Sequence, residues 1–208
     1  MKELEKNIDV YWTIAEECEY ELSVKKSRFI AQAFSVNTKQ KAEGVLDVIR
    51  KTHYNANHNC FAYVIGQKGL EYRYSDDGEP TGTAGKPILF MINKYNLKDI
   101  IVIVTRYFGG TKLGIGGLSR AYSEAASGLL ESCKKEPVYI TKKIKIFCGY
   151  EDISSIKSLL SEYAVNYSEE YLDSVMFIAD IPVSLIDAFS NHVVNVTSGR
   201  AGLIKEEL

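Results

Sequence analysis

Apolar residues alternate with polar ones in some stretches of this chain and recur every three or four positions in others, which separates strands from helices. Residues 12 to 36 read as strands: Tyr20, Leu22 and Val24 alternate, and after a break at Lys25-Lys26-Ser27 the run RFIAQAFSV follows. Thr38 stands as an N-cap, and Ala42, Val45, Leu46 and Ile49 recur at helical spacing, so a helix is predicted over 39–52 with its Lys and Glu face outward. His58 to Ile65 reads as another strand. The stretch EYRYSDDGEPTGTAGKP is dominated by turn formers and is expected to be a loop, with Pro87 in the first turn of a short helix ending near Lys94. Ile100 to Val104 is an unbroken β-branched run, the mark of a strand buried on both faces. It leads through RYFGGTKLGIGG into a long helix whose stripe comprises Leu118, Ala121, Tyr122, Ala125, Ala126, Leu129, Leu130 and Cys133.

Pro137 marks a boundary, since proline cannot continue the preceding helix, and domains of 1–136 and 137–208 are expected. In the second, Ile144, Ile146 and Cys148 alternate with Lys143, Lys145 and Phe147, and a helix follows with Ile153, Ile156, Leu159, Leu160 and Tyr163 on one face. Strands near 165–171 and 174–181, a helix bearing Leu185, Ile186, Phe189 and Val193, and a strand at about 201–206 complete the order β-α-β-β-α-β. This is the ferredoxin-like pattern, in which helices cover one face of an antiparallel sheet, and the chain as a whole is predicted to be α+β.

The chain's 25 basic and 27 acidic residues give a formal net charge of -2, which excludes a general polyanion binder and confines any nucleic-acid site to a local patch. The charge is unevenly divided: residues 137–208 hold six basic and ten acidic side chains, whereas Thr81–Arg120 contains Lys86, Lys94, Lys98, Arg106, Lys112 and Arg120 against Asp99 alone. The stretch MKELEKNIDVYW has no apolar core of signal-peptide length, and nowhere do ~18 uncharged apolar residues run together, so a cytoplasmic location and no membrane contact are expected. Cys18, Cys60, Cys133 and Cys148 form no C-x-x-C pair, and reduced, mostly buried thiols are expected.

The strongest chemical signal is the segment from Arg106 to Gly117, between a buried strand and a helix, where backbone N–H groups and the helix dipole favour an anion. Gly109, Gly110, Gly114, Gly116 and Gly117 permit close backbone approach, and Lys86, Arg106, Lys112 and Arg120 add positive charge. Tyr107 and Phe108 could stack on a base, so a phosphate of a nucleotide or nucleic acid is the natural guest. The competing reading is that these glycines serve only a tight turn and close packing. The pattern is neither a Walker A loop nor a dinucleotide fingerprint, because Gly-Lys-Ser/Thr is absent and Ser119 stands where the third glycine would be. A second candidate combines His58 with Asp76, Asp77 and Glu79, three carboxylates within four positions that could hold a hard divalent cation or could instead cap the turn. A Cys60–His58 nucleophilic pair is disfavoured, because i and i+2 neighbours on a strand are poorly placed to bond. No metal-ligand spacing and no cofactor motif emerge, and metal and cofactor are both expected to be absent.

Three segments, HNCFAYVIG at 58–66, SDDGEPTGTAGKPIL at 75–89 and VTRYFGGTKLGIGGLSRAY at 104–122, together resemble the IMPACT family, in particular its bacterial YigZ-type members. The resemblance implies a first domain like the second domain of ribosomal protein S5, with a left-handed β-α-β arrangement, and a second like the last, ferredoxin-like domain of elongation factor G. Eukaryotic members are translation regulators with an added N-terminal partner-binding domain, which this chain is expected to lack. The leading expectation is a non-enzymatic binding protein of the translation apparatus that contacts RNA or the ribosome through the glycine-rich loop, with a role in translation or stress regulation. A protein partner on the acidic second domain is a further expectation. The rival is a small-molecule phosphate- or nucleotide-binding enzyme or sensor that uses the SDDGEP loop with a divalent cation.

Overall fold

The β-branched run becomes the centre of a sheet in the computed structural model, which describes residues 9–171 and 174–205. In chain order the elements are β1 (Val10–Ile14), β2 (Cys18–Val24), β3 (Ser27–Ser35), α1 (Lys39–Thr52), β4 (His58–Ile65), β5 (Glu71–Ser75), α2 (Gly85–Lys94), β6 (Ile100–Tyr107) and α3 (Gly114–Ser132). They continue with β7 (Lys135–Tyr139), β8 (Thr141–Cys148), α4 (Ile153–Tyr163), β9 (Asn166–Tyr171), β10 (Val175–Pro182), α5 (Ile186–Thr197) and β11 (Gly202–Lys205). Two compact units result, one spanning Tyr11–Val138 and the other running from Tyr139 onward together with Asp9 and Val10. Pro137 lies inside β7, which pairs with β1 in a two-stranded ribbon; a ribbon has only edge strands, where a missing N–H donor is tolerated.

The first unit is a five-stranded sheet of order β2-β3-β6-β4-β5, in which every neighbouring pair is antiparallel. β6 is covered on both sides. Ile100, Val102 and Val104 pack with Ile88 and Ile92 of α2 and the apolar stripe of α3, whereas Ile101 and Ile103 pack with Ala42, Leu46 and Ile49 of α1. Each such aliphatic side chain stabilises the fold by about 1.5–3 kcal/mol on full burial. The expected cap on α1 forms, with the Thr38 hydroxyl accepting from the Lys41 N–H at 3.2 Å.

Two expectations are corrected. EYRYS is an edge strand rather than part of a loop: β5 pairs with β4 from Phe61↔Ser75 to Ile65↔Glu71. Tyr72 and Tyr74 do alternate with polar residues, but all residues of the strand except Ser75 are exposed, so it buries no apolar face and the turn formers that follow it dominate the stretch. Two of the four cysteines are not free thiols, because the start of β2 and the end of α3 bring Cys18 and Cys133 to a Cα–Cα distance of 5.9 Å in a disulfide. Cys60 and Cys148 are buried and free.

The second unit is a four-stranded antiparallel sheet of order β11-β8-β10-β9, which with its two helices is the ferredoxin-like arrangement. Ile144, Ile146 and Cys148 of β8 and Val175, Phe177, Ala179 and Ile181 of β10 bury one face against Ile156 and Leu160 of α4 and Phe189 and Val193 of α5. The final strand ends at Lys205; residue 206, expected to close it, lies outside the described residues.

Candidate functional site

The glycine-rich loop is shaped by the hairpin beside it. Lys25 and Lys26 form the two-residue turn between β2 and β3, both in the left-handed region with φ of 46° and 67°. The β3–β6 register, with Arg28 opposite Tyr107, then sets the turn's backbone against Gly109. A Cβ on Gly109 would lie 2.0 Å from the Lys26 carbonyl oxygen, so no other residue fits there. The Gly109 N–H donates to the buried Ser27 hydroxyl at 3.2 Å, and Gly110 and Gly114, with φ of 84° and 73°, turn the chain into α3.

That helix begins without a side-chain cap and without an acidic residue in its first turn, so its leading N–H groups and the positive end of its dipole are uncompensated. Gly116 has no heavy atom near its missing side chain, so the turn geometry gives no steric reason for a glycine there, and Gly117 is crowded only by the Leu113 side chain. Arg120 stands one turn further on, exposed, at i+4 from Gly116 and i+3 from Gly117. Lys25, Lys26, Lys86, Lys112 and Arg120 are all exposed and have no ion-pair partner among the described residues.

Arg106 differs from the sequence expectation of a free phosphate ligand. It is only 5 % exposed, and its Nη1 donates to Glu79 Oε1 at 2.6 Å in a buried ion pair. The reason is register: Arg106 follows Val104 on the face of β6 that packs on α2 and α3, so its charge enters the core and must be neutralised there. Its guanidinium lies 5.5 Å from the ring centres of both Phe29 and Phe108. Glu79 Oε1 also accepts from the Tyr122 hydroxyl at 2.8 Å, and His58 Nε2 is 3.9 Å away. The Cys60 thiol lies 3.3 Å from the Tyr122 hydroxyl and 3.0 Å from the Asp76 carbonyl oxygen. Burial pushes both the Cys60 thiol and the Tyr122 hydroxyl up, far from the ionised forms that a nucleophile or base would need.

The proposed cation site does not assemble. The Asp76 carboxylate accepts from the N–H groups of Gly82, Ala84 and Gly85, capping the start of α2. Asp77 accepts from the Asn59 N–H at 2.7 Å and from Arg50, while the His58 Nδ1–H donates to the Asp77 carbonyl at 2.8 Å. Glu79 turns the other way, to Arg106. Among the described residues no group of three His, Cys, Asp or Glu side chains is placed to share a metal ion. Three acidic residues in a short loop therefore serve turn and helix caps and a core ion pair.

The two loops that the sequence marked separately meet at one cleft of about 380 Å³, with Glu79 and Arg106 at the base and Pro80, Phe108, Ile115 and Leu118 among its walls. Lys112 and Gly114 belong to it as well, whereas Lys86 and Arg120 do not line it. Tyr107 is committed elsewhere, with His53 Nδ1 2.9 Å from its hydroxyl and Asn55 accepting from it at 3.3 Å; Phe108 is the aromatic residue left in the open, 45 % exposed. Sequence reasoning missed Ser27, Tyr122 and the Lys25-Lys26 pair. Tyr122 did carry a signal, since a tyrosine inside an otherwise apolar helical stripe must find a partner for its hydroxyl.

The first unit matches the model of the Impact N-terminal domain over residues 25–130, and residues 146–200 match a domain of unknown function, DUF1949. The chain is 38 % identical over 199 residues to the Bacillus subtilis protein named IMPACT family member YvyE, covering 95 % of this chain and 92 % of that one. It is 29 % identical to Escherichia coli IMPACT family member YigZ, covering 88 % and 92 % of the two chains. A solved structure described as a hypothetical protein superimposes with a TM-score of 0.68 at 28 % identity, covering 97 % of this chain and 99 % of the other.

Proposed function

This chain belongs to the IMPACT family, and from that premise we propose that it is a translation regulator that works by binding, holding RNA phosphates of the translation apparatus on the basic end of its first unit. The observation that carries this reading is the coincidence of unpaired cations with unfilled backbone donors: Lys112 and Arg120 flank the uncapped start of α3, and the Lys25-Lys26 turn lies against the same glycine-rich loop. A chain of net charge -2 has no general attraction for polyanions, so binding through this end depends on few contacts, and its salt dependence measures their number. The high-lying Cys60 thiol and the dispersed carboxylates favour a binding role over a catalytic one.

The test is co-sedimentation with ribosomes and fluorescence anisotropy on a structured RNA, at low and moderate salt, with wild type and Lys112→Ala/Arg120→Ala. Each lost phosphate contact should lower the slope of log affinity against log salt by about 0.7–0.9, so the double variant should bind more weakly and with a slope shallower by roughly 1.5. Wild-type affinity and slope in the variant would remove this surface from the function, and no binding at low salt would sink the RNA reading.

A further inference from the structure

The cleft between the two loops has a composition that phosphate binding alone does not require. Its base holds an acidic side chain, neutralised by Arg106 and offering phosphate no donor, and its walls are mostly apolar. Glu79 is only 8 % exposed; Oε1 takes the Arg106 and Tyr122 hydrogen bonds, while Oε2 accepts none from the described residues and is not among the fully enclosed atoms that lack a partner. This largely buried carboxylate thus has one oxygen open to a donor from outside the chain. Phe108, its ring centre 5.5 Å from the Arg106 guanidinium, is 45 % exposed, and Pro80, Ile115 and Leu118 complete an apolar slot. The mouth of this slot is the start of α3 with Lys112, the place assigned above to a phosphate.

We propose that the cleft takes one unpaired guanine of a single-stranded RNA, the base stacked on Phe108 with its Watson–Crick edge on Glu79 and its phosphate at the start of α3. This deepens the RNA-binding reading and rests on it. The open oxygen only accepts, and guanine offers it two adjacent donors, N1–H and N2–H, that converge on one acceptor. Adenine, cytosine and uracil each place a single donor group beside at least one ring or carbonyl acceptor on that edge, which would face the carboxylate unfavourably. Arg106, bonded to the other oxygen of Glu79, puts positive charge beside the carboxylate, and guanine also carries an acceptor, O6, next to N1–H. In a duplex the same edge is occupied by the pairing base, so the nucleotide must be unpaired, as in the loops and bulges that proteins read by stacking.

The test uses the full chain and fluorescein-labelled RNA heptamers of uridine with one central guanosine, adenosine, cytidine or uridine. The guanosine heptamer should bind about tenfold more tightly than the other three, its advantage should vanish when it is annealed to its complement, and Phe108→Ala should reduce the four to a common affinity. Glu79→Gln, checked by thermal melting because it also removes a charge from a core pair, should lose the guanosine preference. Equal binding of all four heptamers by wild type would overturn the guanine assignment and leave the phosphate surface standing. Failure of every heptamer and of structured RNA at low salt would overturn both. Free GMP binding as tightly as the guanosine heptamer would overturn the strand assignment and give the site to a nucleotide.

Discussion

At Arg106 the sign of the charge was legible in the sequence and its use was not. It falls in a basic, glycine-rich segment and invites a phosphate, yet β-sheet register carries it into the core, where Glu79, 27 positions away in another loop, neutralises it. A pair buried to this degree is weak evidence for net stabilisation, but removing one partner leaves the other charged and desolvated, at a penalty of about 3–5 kcal/mol. Arg106→Ala should therefore lower the unfolding free energy by about that amount in urea denaturation, and Arg106→Met/Glu79→Leu should recover much of the loss. Recovery would identify Arg106 as the neutralised partner of Glu79 in the core rather than a freely available phosphate ligand. Lys112 and Arg120 need no such discount, since both remain in solvent without a carboxylate partner among the described residues.

Elements differ in how plainly they were written in the chain. α1, α3, α4 and β6 were clear because each buries a regular stripe or run, whereas β5 was hidden because its side chains are exposed and only backbone pairing to β4 makes it a strand. Elements are also tied together by side chains. Asp152, immediately before α4, accepts from Arg200, between α5 and β11, at 2.5 and 3.1 Å, and this bond holds its carboxyl below the usual aspartate range. The sign follows: a depressed folded-state pKa gives stability present above the unfolded value of about 3.9 and lost as pH falls through that value toward the folded one. Thermal melts of the second unit should fall over this acid range, and Asp152→Asn should flatten that part of the profile; an unchanged profile would deny the coupling.

On the scale of the whole molecule, the sequence supported two α+β domains, and the structure has two compact units, a five-stranded sheet between helical layers and a ferredoxin-like sheet. It did not reveal that Cys18 and Cys133, 115 residues apart, close a loop around nearly the whole first unit. Thiol titration of the unfolded, unreduced chain should find two free thiols, those of Cys60 and Cys148. Reduction, or Cys18→Ser/Cys133→Ser, should destabilise the first unit by about 2–5 kcal/mol in urea. Four reactive thiols and an unchanged midpoint would show that the pair stays reduced.

Periodicity, turn formers and caps were enough to define the helices, most strands and the ferredoxin-like order, because each of these depends on residues within a few positions of one another. The glycine-rich loop was legible for the same reason. What folding added were meetings between distant residues: Arg106 with Glu79, Gly109 with the Lys26 backbone, Tyr122 with Cys60, and Cys18 with Cys133. Those meetings follow from strand register and from which face of the sheet each helix covers, and a one-residue change of register would send every side chain of a strand to the opposite face. The cleft that joins the acidic and glycine-rich loops exists only in that register, which is why its two halves read as separate sites along the chain.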